Sequence, residues 1–385
     1  MAEWRNVALG ELGEIFDGPH ATPTRRDEGP YFLNISSLQS GHLNLGESDH
    51  VSDEDFVRWT RRVTPAEGDL LFSYETRLGD AALMPAGVDA CLGRRMALLR
   101  PNRSMVDPRF LLYLYLGPQF QQTISQNAVH GATVDRIPLK LMDSWPVCVP
   151  ELGEQRAIAD VLGALDDKIA ANAKLATTAD ELAGALVRAA IDPGRVVALA
   201  GVAEITMGSS PAGETFNEQG DGVPFYQGVR DFGPRFPSRR VWTTGPTRWA
   251  EAGDLLVSVR APVGKVNLAP ERLCVGRGLA AVRARDDRQA TLYHLLLHAP
   301  DVWLPFEAEG TVFGSINRAQ LHALEIPAVR NDVADEIEGR LAGLEGRIRS
   351  SVMENADLTA TRDAMLPALM SGKLRVEEAA EVAGL

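Results

Sequence analysis

The sequence predicts an α+β chain: two similar α/β domains and two long helices that form a coiled coil, related by an internal pseudo-twofold repeat. Three observations predict it. The chain matches itself in order along its length, each copy mixes short strand-like and helix-like runs, and each copy ends in a 4-3 apolar spacing.

The self-match comes first. Val7–Gly18 (VALGELGEIFDG) recurs as Val197–Gly208 (VALAGVAEITMG), and Pro30-Tyr31-Phe32 as Pro224-Phe225-Tyr226. Glu67–Ser73 (EGDLLFS) returns as Ala252–Ser258 (AGDLLVS), and Cys91-Leu92-Gly93-Arg94-Arg95 as Cys274-Val275-Gly276-Arg277-Gly278. Gly131–Ile137 pairs with Gly310–Ile316, and the offset drifts from 190 to 179 without a change of order. Five collinear matches argue for duplication.

Within each copy, Leu70–Ser73 and Leu255–Val259 are β-leaning runs after a Gly-Asp turn. Phe110–Leu116 and Leu292–Leu297 predict short helices. Alternation at Trp145, Val147 and Val149, and at Leu324 and Ile326, predicts a closing strand before a proline. The long helices follow. Ile158, Leu162, Leu165 and Ile169 continue through Asn172, Ala176, Ala179, Ala183 and Leu186; Ile337, Leu341, Leu344 and Ile348 continue through Ser351, Asn355, Leu358, Arg362 and Met365. A 4-3 repeat lays one narrow seam along a helix, which suits helix pairing better than packing of each helix on its own domain. Asp192-Pro193-Gly194 ends the first helix. The expected segments are a domain over 1–150, a helix over 151–194, a domain over 195–330, and a helix with tail over 331–385.

Composition narrows the function. At 385 residues, 45% apolar and 24% charged, the chain supports two ordinary cores. No membrane span and no secretory start is visible, so a cytoplasmic protein is expected. Cys91, Cys148 and Cys274 are too dispersed for a disulfide framework or zinc finger and read as apolar filler. The net charge of −13 is concentrated in the helical segments: 151–194 carry 8 acids and 4 bases, and 331–385 carry 11 and 6. Residues 195–330 are near neutral, with 14 acids and 15 bases, 14 of the bases arginine, the residue suited to bidentate contacts with bases and phosphates.

Catalytic signatures are missing. The chain has no Asp/Asn-Pro-Pro-aromatic tetrapeptide, no GxGxxG, no P-loop, no GxSxG and no HExxH. Asp166-Asp167 reads as a solvated helix face. The seven histidines do not cluster with carboxylates along the sequence, so no metal site is expected.

Several motifs together carry a resemblance. They are Glu3-Trp4 through Gly18, Gly253–Gly264 (GDLLVSVRAPVG), Val275–Ala280 (VGRGLA), Pro150–Ile158 (PELGEQRAI) and the tail Met365–Val376 (MLPALMSGKLRV). With the duplication, the chain resembles the specificity subunit of type I restriction–modification systems over essentially its whole length. The resemblance implies two target-recognition domains on two antiparallel helices. Each domain reads one half of a bipartite sequence in double-stranded DNA, and the helices fix the gap. It implies methylation subunits, which bring S-adenosylmethionine, and motor-nuclease subunits, which use ATP and Mg. It implies that the chain itself holds no cofactor and catalyses nothing.

Motif transfer does not reach the reading residues, so the candidates are polar positions that differ between copies. In the first domain they are Arg25, Arg26, Arg58, Arg61, Arg62, Arg77, His130 and Thr133. In the second they are Ser209, Ser210, Arg230, Arg239, Arg240, Arg260, Ser315 and Asn317. Arg58/Arg61/Arg62 and Arg239/Arg240 are the preferred clusters. Segments shared by the copies read as scaffold, and Tyr226, Trp249 and Phe313 as core. Two other readings stay open from the residues alone: a structural adaptor with two protein-binding domains on a coiled coil, and an enzyme with an unrecognised site.

Overall fold

The structure, a computed structural model, describes residues 4–19, 22–39, 41–131, 134–307 and 314–384. The chain forms two compact units, residues 1–169 with 357–385, and residues 170–356.

In the first unit, Leu70–Ser73 and Met96–Pro101 are the middle strands of a four-stranded antiparallel sheet, flanked by Gly13–Asp17 and Ala81–Leu83. Both faces of the middle strands are covered, which is why the sequence there is continuously apolar rather than alternating. Leu70, Phe72, Ala97 and Leu99 face helices, and Leu71, Leu98 and Met96 face a second layer with Leu33 and Leu92. In that layer Arg26–Leu33 runs parallel to Ala90–Leu92 and antiparallel to Asp49–His50. Arg5–Ala8 closes against Pro146–Val149.

The second unit repeats this plan. Its four-stranded sheet has the order Ala203–Met207, Leu279–Ala284, Leu255–Ser258, Val266–Leu268. Val223–Tyr226 runs parallel to Leu273–Val275, and Ile191–Ala198 closes against Glu325–Val329. The Gly-Asp turn performs the same task in both copies. Asp69 is paired through both oxygens to Arg100 (3.0 and 2.7 Å) and accepts from the Ala66 N–H. Asp254 is likewise paired to Arg283 (2.6 and 3.0 Å) and accepts from the Glu251 N–H.

The first long helix is Leu152–Ala190 and the second Ala334–Met370. They pair antiparallel. In the first unit Ile158, Leu162 and Leu165 share a core with Met365 and Leu369, and Arg362 bonds Asp166 at 2.7 Å. In the second, Asn172 donates to Glu354 at 2.8 Å, and further along Ala183, Val187 and Ala190 meet Ile337 and Leu341. Ile348 is buried, and Ile169 and Leu344 are half-buried.

Two sequence expectations need correction. The helices do not choose between pairing and packing on a domain. The first also buries Ala159 and Val161 in the domain core, so its apolar stripe is wider than the seam. Asp166 is no solvated residue either: it accepts from Tyr113 Oη at 2.6 Å and from Arg362. Burial first, and the Asp166 charge next, push the Tyr113 phenol up.

The motif Pro150–Ile158 now has a physical reason. Gln155 is fully buried; it accepts from the Asp107 N–H (3.0 Å) and donates to the carbonyls of Met105 (3.1 Å) and Pro150 (2.9 Å). The second copy solves the same junction differently. Glu338 of its long helix accepts from the N–H groups of Ala290 and Thr291 at the start of the helix Gln289–His298. The tail has its own role: Leu374, Val376 and Ala379 pack into the core of the first unit, where Trp4 also lies.

Candidate nucleic-acid interface

Each domain presents loops on this scaffold. After Leu70–Ser73, the loop at Glu75–Asp80 meets the segment 134–137: Thr76 N–H donates to the Asp135 carbonyl and Ile137 N–H to that of Tyr74 (2.8 Å). The second domain repeats the meeting. Ala261 N–H donates to the Gly314 carbonyl and Ile316 N–H to that of Val259, both at 3.0 Å, which brings Arg260 beside Ser315. The chemistry at this junction differs, for Glu75 occupies the place of Arg260 in the duplicated motif.

A second cluster forms at the turn after the parallel strand. In the first domain Asp17, Gly18, Pro19, Arg58, Trp59, Arg61, Arg62 and Leu92 line one concavity. Arg58 lies over the Trp59 ring, 5.4 Å from its centroid, and Arg62 pairs with Asp17. Arg61 is exposed and has no hydrogen bond or ion pair among the described residues. In the second domain Ser209 and Ser210 occupy the place of Pro19 and the residue after it. Thr247 Oγ1 donates to the Ser209 carbonyl at 2.5 Å, and Arg277 N–H approaches Ser210 Oγ at 3.5 Å. Glycines allow the close approach: a Cβ at Gly18 would lie 2.6 Å from the Gly93 oxygen, and one at Gly208 2.1 Å from the Gly276 oxygen.

The remaining candidates are scattered, and several are tied into the fold. Arg25 pairs with Asp49 at 3.2 Å, while Arg26 is exposed on the bulged strand. Arg77 bonds the carbonyls of Ile35 and Leu38 and pairs with Asp80, so it pins loops together. His130 bonds Asp135 at 2.9 Å; Thr133 lies outside the described residues, as does Phe313. Arg230 is exposed. Arg239 pairs with Glu271, and Arg240 is held by both oxygens of the buried Asp231 (2.7 and 3.1 Å). Asn317 caps the helix Arg318–His322, accepting from the Gln320 N–H at 3.0 Å. Tyr226 is buried, which pushes its phenol up to about 12, whereas Trp249 is only half-buried, with Arg272 4.1 Å above its ring.

Sequence reasoning passed over two residues. Arg94 and Arg277 sit in the same turn of the two copies, each behind a buried glycine. Both side chains are exposed, with no hydrogen bond or ion pair among the described residues. The signal was in the repeated Cys-x-Gly-Arg, which shared occurrence assigned to scaffold. A further group was invisible in the sequence: Asp180, His294 and His298 come together in space, so two histidines do meet a carboxylate. No helix among the described residues is long and apolar enough to cross a membrane.

Comparison with known proteins agrees with this architecture. Residues 1–179 match the type I restriction modification DNA specificity domain. A putative type I restriction enzyme MjaX specificity subunit of Methanocaldococcus jannaschii is 28% identical over 97% of this chain and 94% of its own length. The type I restriction enzyme HindI specificity subunit of Haemophilus influenzae is 18% identical over 97% of this chain and 100% of its own. The crystal structure of a type I restriction–modification S subunit from M. genitalium shares the fold with a TM-score of 0.66, at 16% identity over 96% of both chains. With the domain match over residues 1–179, the whole-chain relatives and the duplicated fold in agreement, the chain is similar along its length to the specificity subunits of type I restriction–modification systems.

Proposed function

We propose that this chain reads a bipartite sequence in double-stranded DNA, one half per domain, for methylation and motor-nuclease subunits that supply all the catalysis. S-adenosylmethionine, ATP and Mg then belong to those partners, and this chain is the non-catalytic subunit. One observation carries the reading. Two copies keep one scaffold, down to the Asp69–Arg100 and Asp254–Arg283 pairs, yet present different loops on it, with Glu75 in one where Arg260 stands in the other. A duplicated scaffold with divergent polar loops is what two different half-sequences require. The long helices suit docking, since Leu182 and Met353 leave apolar side chains 50% and 55% exposed.

The test exchanges residues 1–150 for the matching segment of a relative and maps methylated bases in a host carrying the methylation subunit. One half of the methylated sequence is expected to change while the other stays. A methylation pattern indifferent to the exchange would overturn the reading.

A further inference from the structure

Within residues 170–356, three helices meet around polar side chains largely shut off from solvent. The helix Gln289–His298 carries His294 and His298 one turn apart, their rings stacked with centroids 5.6 Å apart and planes 6° from parallel. The first long helix contributes Asp180 and the second Glu345. His294 is fully buried, yet neither ring nitrogen has a hydrogen-bond partner; nor do His298 Nε2 or the oxygens of Glu345. Buried polar atoms left without a partner are destabilising, so several in one place need a common partner. The buried Arg235 bonds Asp180 Oδ1 at 2.8 Å and lies 3.3 Å from Glu345 Oε2, but leaves the other atoms unserved.

We infer that Asp180, His294 and His298 are the ligands of a divalent transition-metal site of zinc type. One donor atom from each lies within 4.8 Å of the others. His298 Nε2 is 3.9 Å from Asp180 Oδ2, and His294 Nδ1 is 3.9 Å from Asp180 Oδ1. Around zinc, with bonds of about 2.0–2.1 Å, ligand atoms stand roughly 3.3 Å apart, so small side-chain rotations close the set. Two imidazoles four residues apart on a helix, with a carboxylate from elsewhere, are a common zinc arrangement.

The surroundings fit. With Nδ1 on the metal, His294 Nε2–H points at Glu345 Oε2, 3.6 Å away, the carboxylate partner that orients a metal-bound histidine. Arg235 fixes Asp180 through Oδ1 and leaves Oδ2 for the ion. Room for the His298 ring is built in: a Cβ on Gly184 would lie 2.8 Å from His298 Cε1. His298, 18% exposed, gives the entry path and the side from which water completes the coordination. The ion would fasten the first long helix to the domain helix Gln289–His298.

The test uses the full chain, without an affinity tag, stripped with a chelator and titrated with Zn2+ and Co2+. One ion per chain is expected, with visible d–d absorption for Co2+ and a raised Tm for Zn2+. His298→Ala should abolish stoichiometric binding and the Tm rise with the circular dichroism spectrum unchanged. Gly184→Ala, which removes no donor atom but crowds the His298 ring, should weaken binding, and Glu345→Gln should weaken it about 10–100-fold. Absence of saturable 1:1 binding to the folded, stripped chain would overturn the proposal. So would 1:1 binding that His298→Ala and Gly184→Ala leave intact.

Discussion

Gln155→Leu tests whether the shared Pro150–Ile158 motif joins helix to domain. The substitution keeps an apolar body of similar volume in a site with 0% exposure and removes three hydrogen bonds. It strands the Asp107 N–H and the Met105 and Pro150 carbonyls. At about 1 kcal/mol net per bond, and more where the stranded group stays dry, the loss should be about 2–4 kcal/mol. That is roughly a 30- to 1000-fold change in the local folding equilibrium, since about 1.4 kcal/mol is tenfold. Two units need not unfold together, so hydrogen exchange of the amides in 152–169 and 108–116 is the better assay than a single melting curve. Gln155→Glu adds a sign. Its carboxylate can still accept from Asp107 but faces two carbonyls, so burial and repulsion raise its folded pKa above the unfolded value. The destabilisation should therefore be full at neutral pH and shrink as pH falls through that raised pKa. Protection factors for Gln155→Leu within about 0.5 kcal/mol of the parent would refute the reasoning.

Three further outcomes follow from the same geometry. Arg58→Ala with Arg61→Ala should weaken recognition of one half-sequence only, by about 1–3 kcal/mol for each arginine that holds a base through two hydrogen bonds, measured by competition binding in the presence of a methylation subunit. Arg94→Ala with Arg277→Ala should instead weaken binding to every sequence alike and reduce the slope of log K against log salt by about one per phosphate contact. A fragment ending at Asp192 leaves the seam of Ile158, Leu162, Leu165 and Ile169 without the second helix and should dimerise in sedimentation; a folded monomer at high concentration would contradict the pairing.

What the sequence disclosed and what it withheld divide along a physical line. The seam was legible because helix periodicity is local: the same spacing that places Ile158, Leu162 and Leu165 in one row buries them. The strands at Leu70 and Leu255 were legible for a similar reason, as an apolar run after a Gly-Asp turn has few other uses. Side-chain pairing is tertiary and left no local mark. Arg77, Arg240 and Asn317 looked like free polar groups, but loop carbonyls, Asp231 and a helix N-terminus claim them. Asp180 gave no hint of His294 and His298, because only helix packing brings them together.

Arg94 and Arg95 show why the candidate interface resists sequence argument most. They are identical and adjacent. Arg95 is held at φ 73° and pairs with Glu75 at 3.3 Å, so its charge is answered by the loop beside it. Arg94 projects into solvent with no such answer. In the second copy the pattern separates further. Gly278 replaces Arg95, Arg260 replaces Glu75, and Arg277 stays exposed. Both members of the internal ion pair are exchanged together, while the exposed arginine beside them is kept. An internal pair that disappears as a unit was serving its own loop. On the proposed function, a solvent-facing arginine that is the same in both domains suits the part of DNA that is the same in every sequence, its phosphates.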